Sequence, residues 1–226
     1  MMWNDKGYLI SKNKYNENSL IAEFFTEYHG KVSGVIFGAS SKKIKNYLFL
    51  GNNFHLNYNS KNDGRIGYFK AEIEQIKTPV FLENKKKLSC IIYGMNILKI
   101  LTVENQANIN VYNLINNFFD LLEDENWIKN FIFWELNFFK NIGYDIDFKN
   151  YVSNQSVNGK KPFTVNYDNN KRKIPAFLID KNNEPLDRSE LFEGLKLVGD
   201  FLDKTILKPN NVAFPTSRLE FINLLK

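Results

Sequence analysis

Side chains able to carry acid–base or nucleophilic chemistry are few in this sequence and poorly grouped. There are two histidines, His29 beside the turn residue Gly30 and His55 between asparagines in an alternating run. Both read as turn or surface positions rather than general bases. Cys90, the only cysteine, lies in an apolar stretch, where a buried inert thiol is the usual outcome. A single cysteine also excludes an intrachain disulfide and any multi-cysteine zinc site. Glu72/Glu74 and Asp145/Asp147 each set two carboxylates two residues apart, a spacing that suits a metal or an acid–base pair but also a solvated strand face or loop. Glu135, beside Trp134, reads as a surface or paired carboxylate. No Walker-type phosphate loop and no dinucleotide fingerprint is present. The sequence therefore predicts no enzyme, no catalytic residue, no metal and no cofactor.

A polyanion is the better-supported ligand. Lys+Arg number 30 against Asp+Glu 25, a net charge of +5. The abundance of Lys, Asn, Ile, Phe and Tyr suggests A·T-rich codons, which inflate lysine everywhere. The distribution is more telling: residues 1–80 hold eleven Lys+Arg against seven Asp+Glu, and residues 81–226 nineteen against eighteen. The excess sits at the front of the chain. There the segment HGKVSGVIFGASSKKIK supplies Lys31 and then Lys42, Lys43 and Lys45 after a Gly-Ala-Ser-Ser turn, flanked by Phe37, Tyr47 and Phe49. Small residues admit a phosphate backbone, lysines act as point charges and the aromatic rings can stack on bases. Two readings stay open on composition alone: a sequence-tolerant nucleic-acid groove, or a solvated lysine loop beside core aromatics.

The elements that must position these residues fall into two kinds. Up to about residue 78 the runs Gly7–Lys12, Ser19–Thr26, Lys31–Phe37, Leu50–Tyr58 and Gly67–Ile76 are short and β-like, several with clear period-2 alternation, as in a small barrel. In one of them Leu20, Ala22 and Phe24 share a face. Asp63-Gly64 is the tight point of an Asn-rich turn. Beyond Pro79 the period becomes helical, over Leu88–Leu101, Val111–Leu122, Trp127–Ile142 with Gly143 as its stop, Ser189–Leu207 with Ser189 as N-cap, and Thr216–Lys226. The aromatic stripes between 111 and 142 read as core, with a partner-peptide groove as the alternative. Residues 150–173 read as an irregular loop. The predicted class is α+β, with a β-barrel domain over 1–79 and an all-α helical domain over 80–226. No apolar run approaches the ~20 residues of a spanning helix, and the opening MMWNDKGYLI lacks the basic-then-apolar order of a secretory leader. A reduced, cytoplasmic setting is expected.

Short signatures along the chain carry a family resemblance. At the front they are Asp5, Gly7-Tyr8-Leu9-Ile10-Ser11, Asn16-Glu17-Asn18-Ser19, Phe25-Thr26-Glu27-Tyr28-His29-Gly30-Lys31, Gly34-Val35, Gly38-Ala39 and Leu50-Gly51-Asn52. Further on come Trp134-Glu135-Leu136, Gly143-Tyr144, Ile146-Asp147, Pro175-Ala176-Phe177-Leu178, Gly194-Leu195, Phe201-Leu202 and Arg218 with Phe221. In this order they resemble RecO, the bacterial DNA-repair and recombination mediator, in its alphaproteobacterial form. The resemblance implies an N-terminal OB-fold barrel followed by a helical domain. It also implies binding of single- and double-stranded DNA, annealing of complementary strands, and action with RecR that helps RecA replace single-strand-binding protein. The basic turn of the family maps onto Lys31, Lys42, Lys43 and Lys45, with Phe37 and Tyr47 beside it. Some members carry a cysteine-based zinc site in the loop between the helices; Val152–Pro175 here has neither cysteine nor histidine, so no metal is expected there. An RNA-binding or RNA-modifying barrel protein and a scaffold that binds no DNA are the alternatives.

Overall fold

A computed structural model describes residues 1–61, 65–148, 164–167, 170–185 and 187–226. The expected Asp63-Gly64 turn and most of the 150–173 loop lie outside them. Five strands form the front of the chain: β1 (Met2–Lys14), β2 (Ser19–Thr26), β3 (Gly30–Phe37), β4 (Asn53–Asn59) and β5 (Gly67–Gln75). They close into a barrel in the order β1-β2-β3-β5-β4. Closure depends on β1, which is longer than the apolar run Gly7–Lys12 predicts. Its first half pairs antiparallel with β4 (Trp3 opposite Tyr58) and its second half with β2 (Lys12 opposite Ala22). The last seam is a short parallel contact of β3 with β5, Gly34 opposite Gly67 and Val35 opposite Tyr68. This closed five-stranded arrangement, with a one-turn helix α1 (Lys42–Lys45) between β3 and β4, is the OB-fold.

The period-2 alternation has its expected consequence. Leu9, Ala22, Phe24, Val32, Ile36, Phe54, Leu56 and Phe69 fill the barrel. The Phe24 ring meets Phe54 and Phe69 edge-on, at centroid distances of 5.5 and 5.0 Å. Gly30 opens β3 at φ 69°, and a Cβ there would stand 2.0 Å from the Gln106 carbonyl oxygen, so a side chain has neither the backbone nor the space.

Helices follow: α2 (Lys85–Leu101), α3 (Ile109–Asn116), α4 (Phe118–Glu123), α5 (Trp127–Asn141), α6 (Ala176–Ile179), α7 (Arg188–Phe201) and α8 (Thr216–Leu225). The stretch expected as one helix over 111–122 is two. Asn117 closes α3 with its N–H on the Asn113 carbonyl, a residue type that tolerates a break better than a helix interior. The cap of α7 is Asp187, not Ser189: the Asp187 carboxylate accepts the Glu190 N–H at 3.0 Å, and the Ser189 hydroxyl donates to that same carboxylate at 2.7 Å. Within the stretch expected to be irregular, β6 (Thr164–Tyr167) and β7 (Asn170–Lys173) pair antiparallel. Their backbone amides find partners across the strand pair, which composition does not report.

The chain divides into two compact units, Met1–Phe119 with Pro215–Lys226, and Asp120–Phe214. The first holds the barrel, α2, α3 and α8. In it Asn84 caps α2 and Asn108 caps α3, and Asn96 of α2 donates to the Ser217 hydroxyl of α8 at 2.9 Å. The second is built on α5 and α7, with Ile132, Phe138, Phe177, Leu195 and Val198 buried. Glu135 is also fully buried there, so of its two readings, surface or paired carboxylate, the surface one does not hold. No helix among the described residues is long and apolar enough to cross a membrane.

Candidate nucleic-acid interface

The lysine turn begins where β3 ends. The Ala39 N–H donates to the Asn18 carbonyl at 3.1 Å, and the Ser40 hydroxyl to the Asn18 side chain, which ties the turn to the β1–β2 loop. The Ser41 carbonyl then accepts the N–H groups of Ile44 and Lys45, closing α1. Ile44 and Tyr47 pack against the barrel cluster, and Lys45 is exposed. The side chains of Lys42 and Lys43 lie outside the described residues. Phe37 is 61% exposed, its ring 6.0 Å from that of Tyr68 on β5. Tyr47 is half-buried, and its carbonyl accepts the Asn52 side chain at 2.8 Å.

A further cation joins this end of the barrel. Lys12, near the end of β1, donates to the Leu48 carbonyl and stands 5.9 Å over the Phe49 ring. Its ammonium is pushed to lower pKa, first by burial and then by the positive charge of Lys45. Lys12 escaped the sequence reading because barrel closure, not chain position, sets it beside Lys45. The signal available was a lysine pair, Lys12 and Lys14, immediately before an Asn-rich turn.

Lys31 is not brought to this cluster. It is the second residue of β3 while Phe37 closes the strand, about 20 Å away at ~3.3 Å per residue. Its ammonium donates to the Lys99 carbonyl at 2.8 Å, in the last turn of α2, where helix carbonyls lack internal partners. Burial is the main cause that lowers its pKa. Around it the outer face of β2 and β3 is covered by the chain's own α2–α3 connection. The Ser33 hydroxyl donates to Glu104 at 2.8 Å, the Asn105 N–H to the Lys31 carbonyl at 2.8 Å, and Lys99 pairs with Glu23 at 3.1 Å.

The histidines have structural partners. His55 sits 2.7 Å from Glu74, which also holds Lys6 at 2.7 Å. His29 Nδ1 lies 2.7 Å from the buried carboxylate of Asp5, and its ring stacks on Trp3. The indole also stacks on Tyr58, at a centroid distance of 4.8 Å. These three rings line a cleft of about 600 Å³ with Arg65, Ile66 and Glu104. Asp145 pairs with Lys140 at 3.0 Å, and Cys90 is buried. Among the described residues no three His, Cys, Asp or Glu side chains stand together as a metal site.

Comparison with known proteins agrees with the barrel-then-helix order. Residues 1–76 match the family model "Recombination protein O N terminal", and residues 82–212 match "Recombination protein O C terminal". The chain belongs to the Recombination protein O family. Among its relatives, a "DNA repair protein RecO" of Wolbachia sp. subsp. Drosophila simulans (strain wRi) is 27% identical, the match covering 99% of this chain and 100% of that one. The RecO of Ehrlichia chaffeensis is 26% identical, over 100% and 98% of the two chains. That of Rhodospirillum centenum is 22% identical, over 99% and 94%. Identity is low and coverage nearly complete, so the RecO likeness rests on the arrangement of the whole chain.

Proposed function

We propose that this RecO-family chain is a non-enzymatic DNA-repair and recombination mediator, which binds single- and double-stranded DNA and anneals complementary strands. The observation that carries the reading is the cationic end of the OB barrel. Lys12 and Lys45 share one field there, at a turn that also supplies Lys42 and Lys43, with Phe37 exposed beside it. Lys42, Lys43 and Lys45 hold phosphates, with Phe37 and Tyr47 as flanking aromatics. Lys31, bonded to the end of α2, contributes by fixing that helix against β3.

The mechanism is electrostatic. Ammonium groups replace condensed counterions along the phosphates and lower the repulsion between two strands, so that complementary bases come within pairing distance. No bond is made or broken by the protein and no nucleotide is hydrolysed. The helical region recruits RecR and single-strand-binding protein, and RecA is served indirectly, in the cytoplasm.

Annealing of complementary strands, followed without any cofactor, tests this. The parent accelerates annealing and K42E/K43E/K45E does not. Three lost phosphate contacts also reduce the single-strand salt slope by about 2. Equal annealing by the triple variant overturns the site.

A further inference from the structure

If the chain holds single-stranded DNA, as proposed above, its bases need a path that the lysine turn does not supply. On OB barrels oligonucleotides commonly use the face of strands 2 and 3. Here that face is covered around Lys31 and Ser33 by Lys99, Glu104 and Asn105. An open path starts beside that covered patch, whose Ser33, Glu104 and Asn105 also line its first cleft, and runs round the barrel as three clefts in succession. The first, of about 600 Å³, is walled by Trp3, Tyr58 and Arg65. The second, of about 210 Å³, lies over β1, β4 and β5 and shares Trp3 and Tyr58 with the first. The third, of about 310 Å³, opens where β3 and β5 diverge beyond their short parallel seam, and shares Tyr68 and Lys70 with the second. Phe37 and Ile44 complete its wall, and the residue after Ile44 is the exposed Lys45.

Each cleft therefore offers at least one aromatic ring, and the cations Arg65, Lys70 and Lys45 are spaced along the same path. Two carboxylates line it. Glu104 in the first cleft accepts the Ser33 hydroxyl, and Glu72 lies in the third. Rings at every station with intervening cations match the chemistry of an unpaired strand, whose bases present π-faces and whose phosphates are regularly spaced. A duplex hides its base faces and gains nothing from the rings. We infer that this track, from Tyr58 past Tyr68 to Phe37, is the single-strand path, with bases stacked on Tyr68 and Phe37 and phosphates held by Arg65, Lys70 and Lys45; Trp3, sandwiched between His29 and Tyr58, forms the wall at its start. The lysine turn at its end is where the second strand is met.

The test separates stacking from charge. Binding of oligo-thymidylate of about 15 nucleotides, within the ~4–16 nucleotides an OB barrel spans, is measured over a salt series beside a duplex of the same length. Phe37→Ala, at an exposed ring, and F37A/Y68A lower single-strand affinity by roughly 5- to 150-fold per ring. They leave the salt slope unchanged and lower duplex affinity by less than single-strand affinity. Arg65→Gln and Lys70→Gln each reduce the single-strand slope by about 0.7. Parent-like single-strand binding by both Phe37→Ala and F37A/Y68A, while K42E/K43E/K45E loses binding, overturns the track and leaves the DNA-binding reading standing. A parent that retains neither single strand nor duplex at low salt overturns both. Urea unfolding of the variants, with the parent's midpoint for Phe37→Ala, keeps a folding defect from passing as lost stacking.

Discussion

Asp5 and His29 meet at 2.7 Å, Oδ2 to Nδ1, across the barrel from β1 to the β2–β3 turn. The Asp5 side chain is shut off from solvent, and it also accepts the N–H groups of Lys6 at 2.7 Å and Tyr28 at 3.0 Å. An ionised carboxylate offers only acceptors, and a buried one is tolerated when donors converge on it. One residue of the first strand thus sets the shape of a turn more than twenty residues on. It also sets the plane of the imidazole that stacks on Trp3, 4.0 Å between centroids and 9° from parallel.

Removing that carboxylate strands two backbone N–H groups and frees the imidazole. Asp5→Ala loses about 2–3 kcal/mol, the scale of hydrogen bonds to a charged group. Asp5→Asn, which retains one carbonyl acceptor, loses less. Urea midpoints at constant slope are the measurement; an Asp5→Ala midpoint equal to the parent's means the turn is held by something else.

Gly34 faces Phe69 across the parallel seam, and a Cβ there would lie 2.5 Å from the ring. The ring cannot retreat freely, since Phe24 packs edge-on against it. Gly34→Ala therefore overpacks the barrel, at a cost of about 1–3 kcal/mol. Thermal unfolding reads the loss, and a Phe69→Leu change in the same chain recovers part of it by making room. Independent, additive losses from the two changes would show that they do not share that space.

Arg218 of α8 is fully buried, donates from Nη1 to the Tyr93 hydroxyl of α2 at 2.7 Å, and stands 5.1 Å over that ring. Arg218→Ala leaves a cavity and takes away this donor, a loss of about 3 kcal/mol. Arg218→Met fills the volume and removes the buried charge along with its desolvation cost, so it stays closer to the parent. The order Ala well below Met in urea stability is the expected result. The reverse order would mean that the guanidinium itself, not the packing, holds α8 to α2.

What the sequence made legible was local. Leu20, Ala22 and Phe24 alternate because they line a barrel, and the helical stripes after Pro79 bury as their spacing predicts. The alternation pointed to a small barrel, but its strand order was not legible, since nothing in the β5 sequence says that it meets β3 in parallel. The site was less legible for the same reason. Lys31 counts as one of four cations in a string of letters, but its partner is a carbonyl sixty-eight residues away. Lys12 became a neighbour of Lys45 only when β1 wrapped the barrel. Asn53 reads as a polar strand face, yet it is buried and donates to the Tyr112 hydroxyl at 3.3 Å. In each case charge and polarity were visible and the long-range partner was not.

Glu74 on β5 gives the barrel an acid-sensitive clasp. Its two oxygens take Lys6 of β1 and His55 of β4, each at 2.7 Å, so one carboxylate bridges three strands. The hydrogen bond from Lys6 is the largest cause holding its pKa below 4.5. Burial opposes this, and the charges of His55 and Lys6 add to it. Because the folded value lies below the unfolded one, the unfolded chain binds more protons over the interval between them, and stability rises with pH there. The contribution is complete above 4.5 and disappears as pH falls through the folded value. Glu74→Gln removes it, so the gap between parent and variant urea midpoints closes as pH drops below 4.5. Added salt narrows the gap above that pH, since the pair is solvent-screened. A gap unchanged throughout the acid range would show that the carboxylate acts by its shape alone and that its charge does not clasp the strands.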